Sequence, residues 1–167
     1  MKWLSSLFGS KNKENSSKSY VFRKGEAVEA DESFNAWTSR NLDEMIKASE
    51  TDTNAIDRHF LLQTIVDETY KRRDDEKYRD LCIEFSEKHL KEFSETIVSE
   101  LKEDFNGDLP RVLTFQYYST LLTELGDFEK AIKVCETAIS FGLHDGTKSG
   151  FQGRIDRIKK KMNSTKT

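Results

Sequence analysis

The octapeptide GLHDGTKS, residues 142–149, falls one residue short of the phosphate-binding loop G-x-x-x-x-G-K-[S/T]. Such a loop wraps a phosphate in backbone N–H groups, so it needs glycine directly before the lysine, a strand ahead of it and a helix behind it. Here Thr147 stands in that glycine position, and the preceding AIKVCETAISF carries a helical pattern. The stretch reads instead as a helix end at Gly142, a turn through Asp145 and Gly146, and a new helix capped by Thr147 or Ser149. Nucleotide binding is not expected.

Other residue types suited to chemistry are scattered. His59, His89 and His144 lie in three different segments without an H-E-x-x-H or C-x-x-C spacing, so they are expected at the core edge or the surface, with no metal. DFNGD at 104–108 has the flavour of a calcium loop, but its glycine is fourth instead of sixth and its twelfth position is Phe115 instead of glutamate. Cys82 and Cys135 each sit inside a helical pattern and are expected as reduced core thiols. No G-x-S-x-G elbow is present. The sequence thus points to no catalytic residue, metal or cofactor.

The elements that position these residues are helical. One proline and eight glycines in 167 residues leave too few breakers for a sandwich or barrel. Apolar residues make up 35% and charged residues 34%, against about 45–50% and about 25% in an average globular domain, which suits a thin, elongated all-α fold. Charge is segregated. Residues 1–24 hold six Lys or Arg against Glu14 and residues 154–167 six against Asp156, so a chain of net charge −3 has a central part at −13. An acidic body repels phosphate backbones, and no nucleic-acid partner is expected.

Two domains of organisation are expected: a basic segment over 1–24 and a helical domain over 25–167. Trp3, Leu4, Leu7 and Phe8 fall on one face of a two-turn helix followed by the polar KNKENSSKS, a hook for a membrane surface, a partner groove or the body itself. Residues 20–31 are weakly extended and receive no assignment. Asp31 or Ser33 caps a segment broken near Asn41; Asp52 or Thr53 caps the next; Tyr78, Leu81, Cys82, Phe85 and His89 mark a clear amphipathic helix; 94–104 is a further helix. Asp108 is expected to cap a helix with Pro110 in its first turn, followed by helices at 128–141 and 148–162. No apolar run spans a bilayer and MKWLSSLFGS lacks a cleavage site, so the expected compartment is the cytoplasm, or its face of the inner membrane if the hook holds the chain there.

The segments NLDEMIKA (41–48), EKYRDLCIEF (76–85) and GDFEKAIKVC (126–135) align, at spacings of 36 and 50 residues. A period of about 34 residues marks paired-helix repeats. LTFQYYSTLLTELGDFEKAIKVCETAISFGL, residues 113–143, resembles a tetratricopeptide repeat, with Ser119 at the helix crossing, Gly126 and Asp127 at the turn, and Ala131 and Ala138 as the small residues of the second helix. It departs in having Phe115 for the usual tryptophan and Leu143 where proline often stands. HDGTKSGFQGRIDRIKKK is similar to the ends of helical-repeat proteins of unassigned function in bacteria.

The resemblance implies stacked helical hairpins forming a short solenoid, with a concave groove exposing Gln116, Thr120, Thr123 and Glu124, joined by Arg154 and Arg157 from the terminal helix. It implies a non-catalytic adaptor binding a protein or peptide, with basic residues suited to an acidic peptide or C-terminal carboxylate. The alternatives are a peripheral membrane adaptor and an enzyme with an unrecognised site. Three units is about the minimum for a stable stack, so an uncapped end leaves homodimerisation open.

Overall fold

The computed structural model describes residues 18–165; the expected hook Trp3, Leu4, Leu7 and Phe8 lies outside them. The described chain is mostly helical and begins with a hairpin of β1 (Tyr20–Arg23) and β2 (Glu26–Glu29), paired antiparallel. Its turn residues Lys24 and Gly25 have φ of 51° and 79°, as in a type I′ turn, whose twist matches that of the flanking strands. A domain boundary at 24/25 therefore falls inside a hairpin turn. Alternation leaves Tyr20 and Phe22 exposed and Val21 and Arg23 half-buried.

A two-stranded ribbon is marginal alone, and this one is tied to the helices. Arg23 donates to Asp57 through Nε at 3.3 Å and Nη2 at 2.5 Å, Trp37 Nε1 donates to the same carboxylate at 3.2 Å, and Asn54 Nδ2 at 2.6 Å. Lys24 adds ion pairs to Glu100 and Glu103 at 2.6 and 3.0 Å.

Helix α1 (Glu32–Ser39) starts at Asp31, whose side chain accepts from Phe34 N at 2.8 Å, and stops at Arg40 with φ 57°. Asn41 then caps α2 (Leu42–Ala48) by accepting from Asp43 N and Glu44 N. The cap of α3 (Ala55–Tyr70) is Asn54, accepting from Asp57 N at 2.9 Å, and not Asp52 or Thr53. The Thr53 hydroxyl is committed to Asp31, and Asn54 serves twice because its amide also donates to the Asp57 carboxylate.

After α4 (Glu76–Glu92) the chain does not break. A π-helical turn at Phe93–Ile97 carries it into α5 (Val98–Asp104). The buried positions His89, Phe93, Ile97 and Leu101 explain the turn. Each four-residue step in an α-helix overshoots a full turn by about 40°, so three of them would rotate Leu101 away from the core. The wider π turn takes up that drift.

Helix α6 (Leu113–Glu124) begins after Pro110 instead of around it, and Asp108 does not cap it. The residue before a proline is driven out of the α region, and Leu113 N finds its acceptor on another helix, Gln63 Oε1 at 2.7 Å. Gln63→Ala should therefore cost about 1 kcal/mol, measured by urea unfolding, although Gln63 lies outside α6. Asp127 caps α7 (Phe128–Ser140), Gly142 leaves it with φ 75°, and α8 spans Gly150–Thr165.

Helices α3 and α4 form one hairpin and α6 and α7 a second. Helix α6 lies against both α3 and α4, α8 covers α7, and α1 and α2 pack on α3. Two apolar cores result. One gathers Phe93, Ile97, Leu101, Phe115, Tyr118, Cys135, Phe151 and Ile155; the other gathers Met45, Leu61, Leu62, Ile65, Val66, Cys82 and Phe85. Ser119, Ala131 and Ala138 are fully buried, which lets the helices of the second hairpin approach closely.

Candidate functional site

On α8, Arg154, Arg157 and Lys161 recur at i, i+3 and i+7 and so share one face. That face meets α6 across a groove of about 240 Å³ lined by Thr120, Thr123, Glu124, Arg154, Arg157, Ile158 and Lys161. Five of the six residues expected at a groove thus surround one space. The sixth, Gln116, does not line it, and its Oε1 accepts from Arg111 Nη2. Lys161 was not among the expected residues, although its spacing from Arg157 on the same helix is a sufficient signal.

The cations differ in what they are free to do. Arg154 Nη1 donates to Thr120 Oγ1 at 2.8 Å, while its Nε and Nη2 reach Asp145 Oδ2 at 3.3 and 3.1 Å. Asp145 is 1% exposed, and its other oxygen accepts from the Thr147 amide and hydroxyl at 3.0 and 2.7 Å. Burial alone would raise the Asp145 pKa; the hydrogen bonds from Thr147 and Arg154 outweigh it and hold the carboxyl below its ordinary value. Arg154 is therefore a structural tie between α6, the 143–149 loop and α8. Among the described residues Arg157 and Lys161, both exposed, hydrogen-bond only at 3.4 Å, to Ser149 Oγ and the Thr123 carbonyl, and Lys161 also acts on the Glu124 carboxylate through its charge. Glu124 is held by a fork from Arg73 at 2.7 and 2.9 Å.

The same loop disposes of a phosphate cradle. The Gly146 amide donates to His144 Nδ1 at 2.9 Å and the Thr147 amide to Asp145, so two of the N–H groups an anion would need already have acceptors, one of them a carboxylate. The segment before the loop is α7, not a strand.

The face between α3 and α6 is closed. Tyr70 and Tyr117 stack across it at 4.4 Å, with the Arg73 guanidinium 4.1 Å from the Tyr70 ring centroid.

Two histidines expected at the edge or surface lie in the core instead. His59 Nδ1 and His89 Nε2 are 3.0 Å apart, and His89 Nδ1 is 2.7 Å from Thr114 Oγ1; all three residues are fully buried. The fold joins them because α6 crosses both helices of the first hairpin. Among the described residues His59 Nε2 has no hydrogen-bond partner. A bare lone pair there costs less than an orphan N–H, so the favoured tautomers have His59 Nδ1–H donating to His89 and His89 Nδ1–H donating to Thr114. Burial pushes the His59 pKa down to about 4 and, with the repulsion that Arg58 and a protonated His59 would exert, holds His89 well below its ordinary value. This is a neutral polar strut, enclosed by Phe60 and Phe93.

Cys82 and Cys135 are buried free thiols whose pKa values burial raises, which disfavours the nucleophilic thiolate. Among the described residues no group of three or more His, Cys, Asp or Glu is placed to hold a metal ion, and no helix is long and apolar enough to cross a membrane. Comparison of the chain with protein-family models, with curated proteins and with solved structures finds no match.

Proposed function

We propose that the chain is a non-catalytic protein-interaction module: a short tetratricopeptide-like stack of the α3/α4 and α6/α7 hairpins, ended by α8, that takes an acidic peptide or helix along the α6/α8 groove. The observation that carries this reading is the groove itself, where exposed Arg157 and Lys161 share a lining with Thr120 and Thr123, beside an Arg154 fixed by Asp145. Their long contacts are of the kind a ligand carboxylate replaces with shorter, charge-assisted hydrogen bonds. Support for the stacked reading comes from α6 lying on both helices of the preceding hairpin.

The test is affinity capture from the source cell with the full chain, a chain lacking residues 1–19, and an Arg157→Glu, Lys161→Glu double variant. One protein should be retained by the first two and lost, at least about tenfold, by the third. Loss on deleting 1–19 with retention by the charge-reversed variant would contradict the groove. Flotation on anionic vesicles that depends on residues 1–19 would instead favour a peripheral membrane adaptor, whose apolar hook and nearby lysines are the sequence feature behind that second reading.

A further inference from the structure

The outer side of the two hairpins carries a trough unrelated to the α6/α8 groove. Helices α4 and α7 each pack on α6 and barely on each other, which leaves about 820 Å³ between them. Half-buried Leu90 of α4 and the buried Val134 of α7 flank it, and the Tyr118 ring of α6, 1% exposed with the Lys130 ammonium 5.6 Å from its centroid, lies at its base. This is more than three times the space of the α6/α8 groove, given as about 240 Å³.

Charge at the rim says what fits. Glu87 is occupied, accepting from the Tyr118 hydroxyl at 2.7 Å and pairing with Lys130. Lys91 on one wall and Lys133 on the other are exposed and have no partner among the described residues, with Glu129 the remaining anion. A locally positive rim around an apolar floor, on a body that is otherwise acidic, is complementary to an apolar stripe bordered by carboxylates. It is not complementary to the chain's own N-terminal segment, which sets Lys2, Lys11, Lys13 and Lys18 against the single Glu14.

We infer that the α4/α7 trough docks an amphipathic helix of a partner protein, with its apolar side chains on Leu90, Tyr118 and Val134 and its acidic residues on Lys91 and Lys133. A trough between two helices that each pack on α6 is a place a third helix can fill.

The experiment is an amide NMR titration of the full chain with two designed peptides of about five helical turns, both with leucine at i, i+3, i+4 and i+7, one flanked by glutamate and one by lysine. The glutamate peptide should give saturable shifts centred on Leu90, Tyr118 and Val134 and bind at least about tenfold more tightly than the lysine peptide. A Lys91→Glu, Lys133→Glu variant, both positions being solvated and removable without touching the core, should reverse that preference. Absence of saturable shifts, equal binding of the two peptides, an unchanged preference in the variant, or shifts confined to α6 and α8 would each overturn the inference. Because the two grooves share no residue, the outcome here is independent of whether the α6/α8 groove binds.

Discussion

Replacing Phe93 by alanine is expected to lower stability by about 3–5 kcal/mol and the melting temperature by on the order of 10 °C. Phe93 opens the π turn, is fully buried, and meets Phe115 and Phe141 edge-on with ring centroids at 5.6 and 5.3 Å. It also abuts the His89 ring at 6.2 Å. Truncation removes one of the apolar contacts that join the first hairpin to the second, and the cavity cannot collapse easily because three helices line it. Phe93→Leu, which keeps most of the volume, should cost far less. Urea unfolding of the two variants checks the pair; an alanine cost below about 1 kcal/mol would mean that this junction is not the core described here.

Acid is expected to act on the buried histidine strut. His59 and His89 are neutral in the folded chain because burial depresses their pKa, the former to about 4. The unfolded chain has ordinary histidines near about 6.5 and binds more protons below that pH. Their contribution is therefore fully present above about pH 6.5 and is lost as pH falls from there through the folded values. The His59 share amounts to about 3 kcal/mol by pH 4, at a slope near 1.4 kcal/mol per pH unit, with His89 acting in the same direction. The window from pH 6.5 to 5 lies above most carboxylate titrations, so unfolding free energies measured there isolate the strut. A His59→Phe, His89→Leu variant should lose most of the slope in that window. An unchanged slope would show that the histidines ionise freely in the folded state.

The sequence declared the elements whose cause is local. Asp31, Asn41 and Asp127 each supply a side-chain oxygen to amides within three residues, and Gly142 supplies the positive φ that ends α7, so these boundaries follow from residue type and near neighbours. Boundaries set from a distance were misplaced. Thr53 does not cap α3 because its hydroxyl is taken by Asp31, 22 residues earlier, so the cap falls to Asn54, and α6 starts at Leu113 because Gln63 waits on another helix. The π turn was hidden because a run of four-residue steps looks like an ordinary helical stripe until its phase is followed over three turns. The Lys24–Gly25 hairpin turn was hidden because lysine is a weak signal for positive φ.

The groove shows the same division. The tetratricopeptide resemblance placed Thr120, Thr123 and Glu124 of α6 at a groove, joined by Arg154 and Arg157 of α8. That Arg154 is consumed by Asp145 and Glu124 by Arg73 depends on pairs separated in the chain by 9 and 51 residues, and the latter partner comes from a different hairpin. The joining of His59 to His89 has the same origin, in two helices of one hairpin crossed by α6.

The most direct measurement of the central claim is site-specific photo-crosslinking in the source cell. A photoreactive residue replaces Thr123, which lines the α6/α8 groove, and in a control replaces Lys102, which is exposed on α5. The binding account predicts one protein adduct from position 123, its absence from position 102, and its disappearance when Arg157→Glu and Lys161→Glu are combined with the probe. No protein adduct at 123, or the same adducts from both positions, would contradict it.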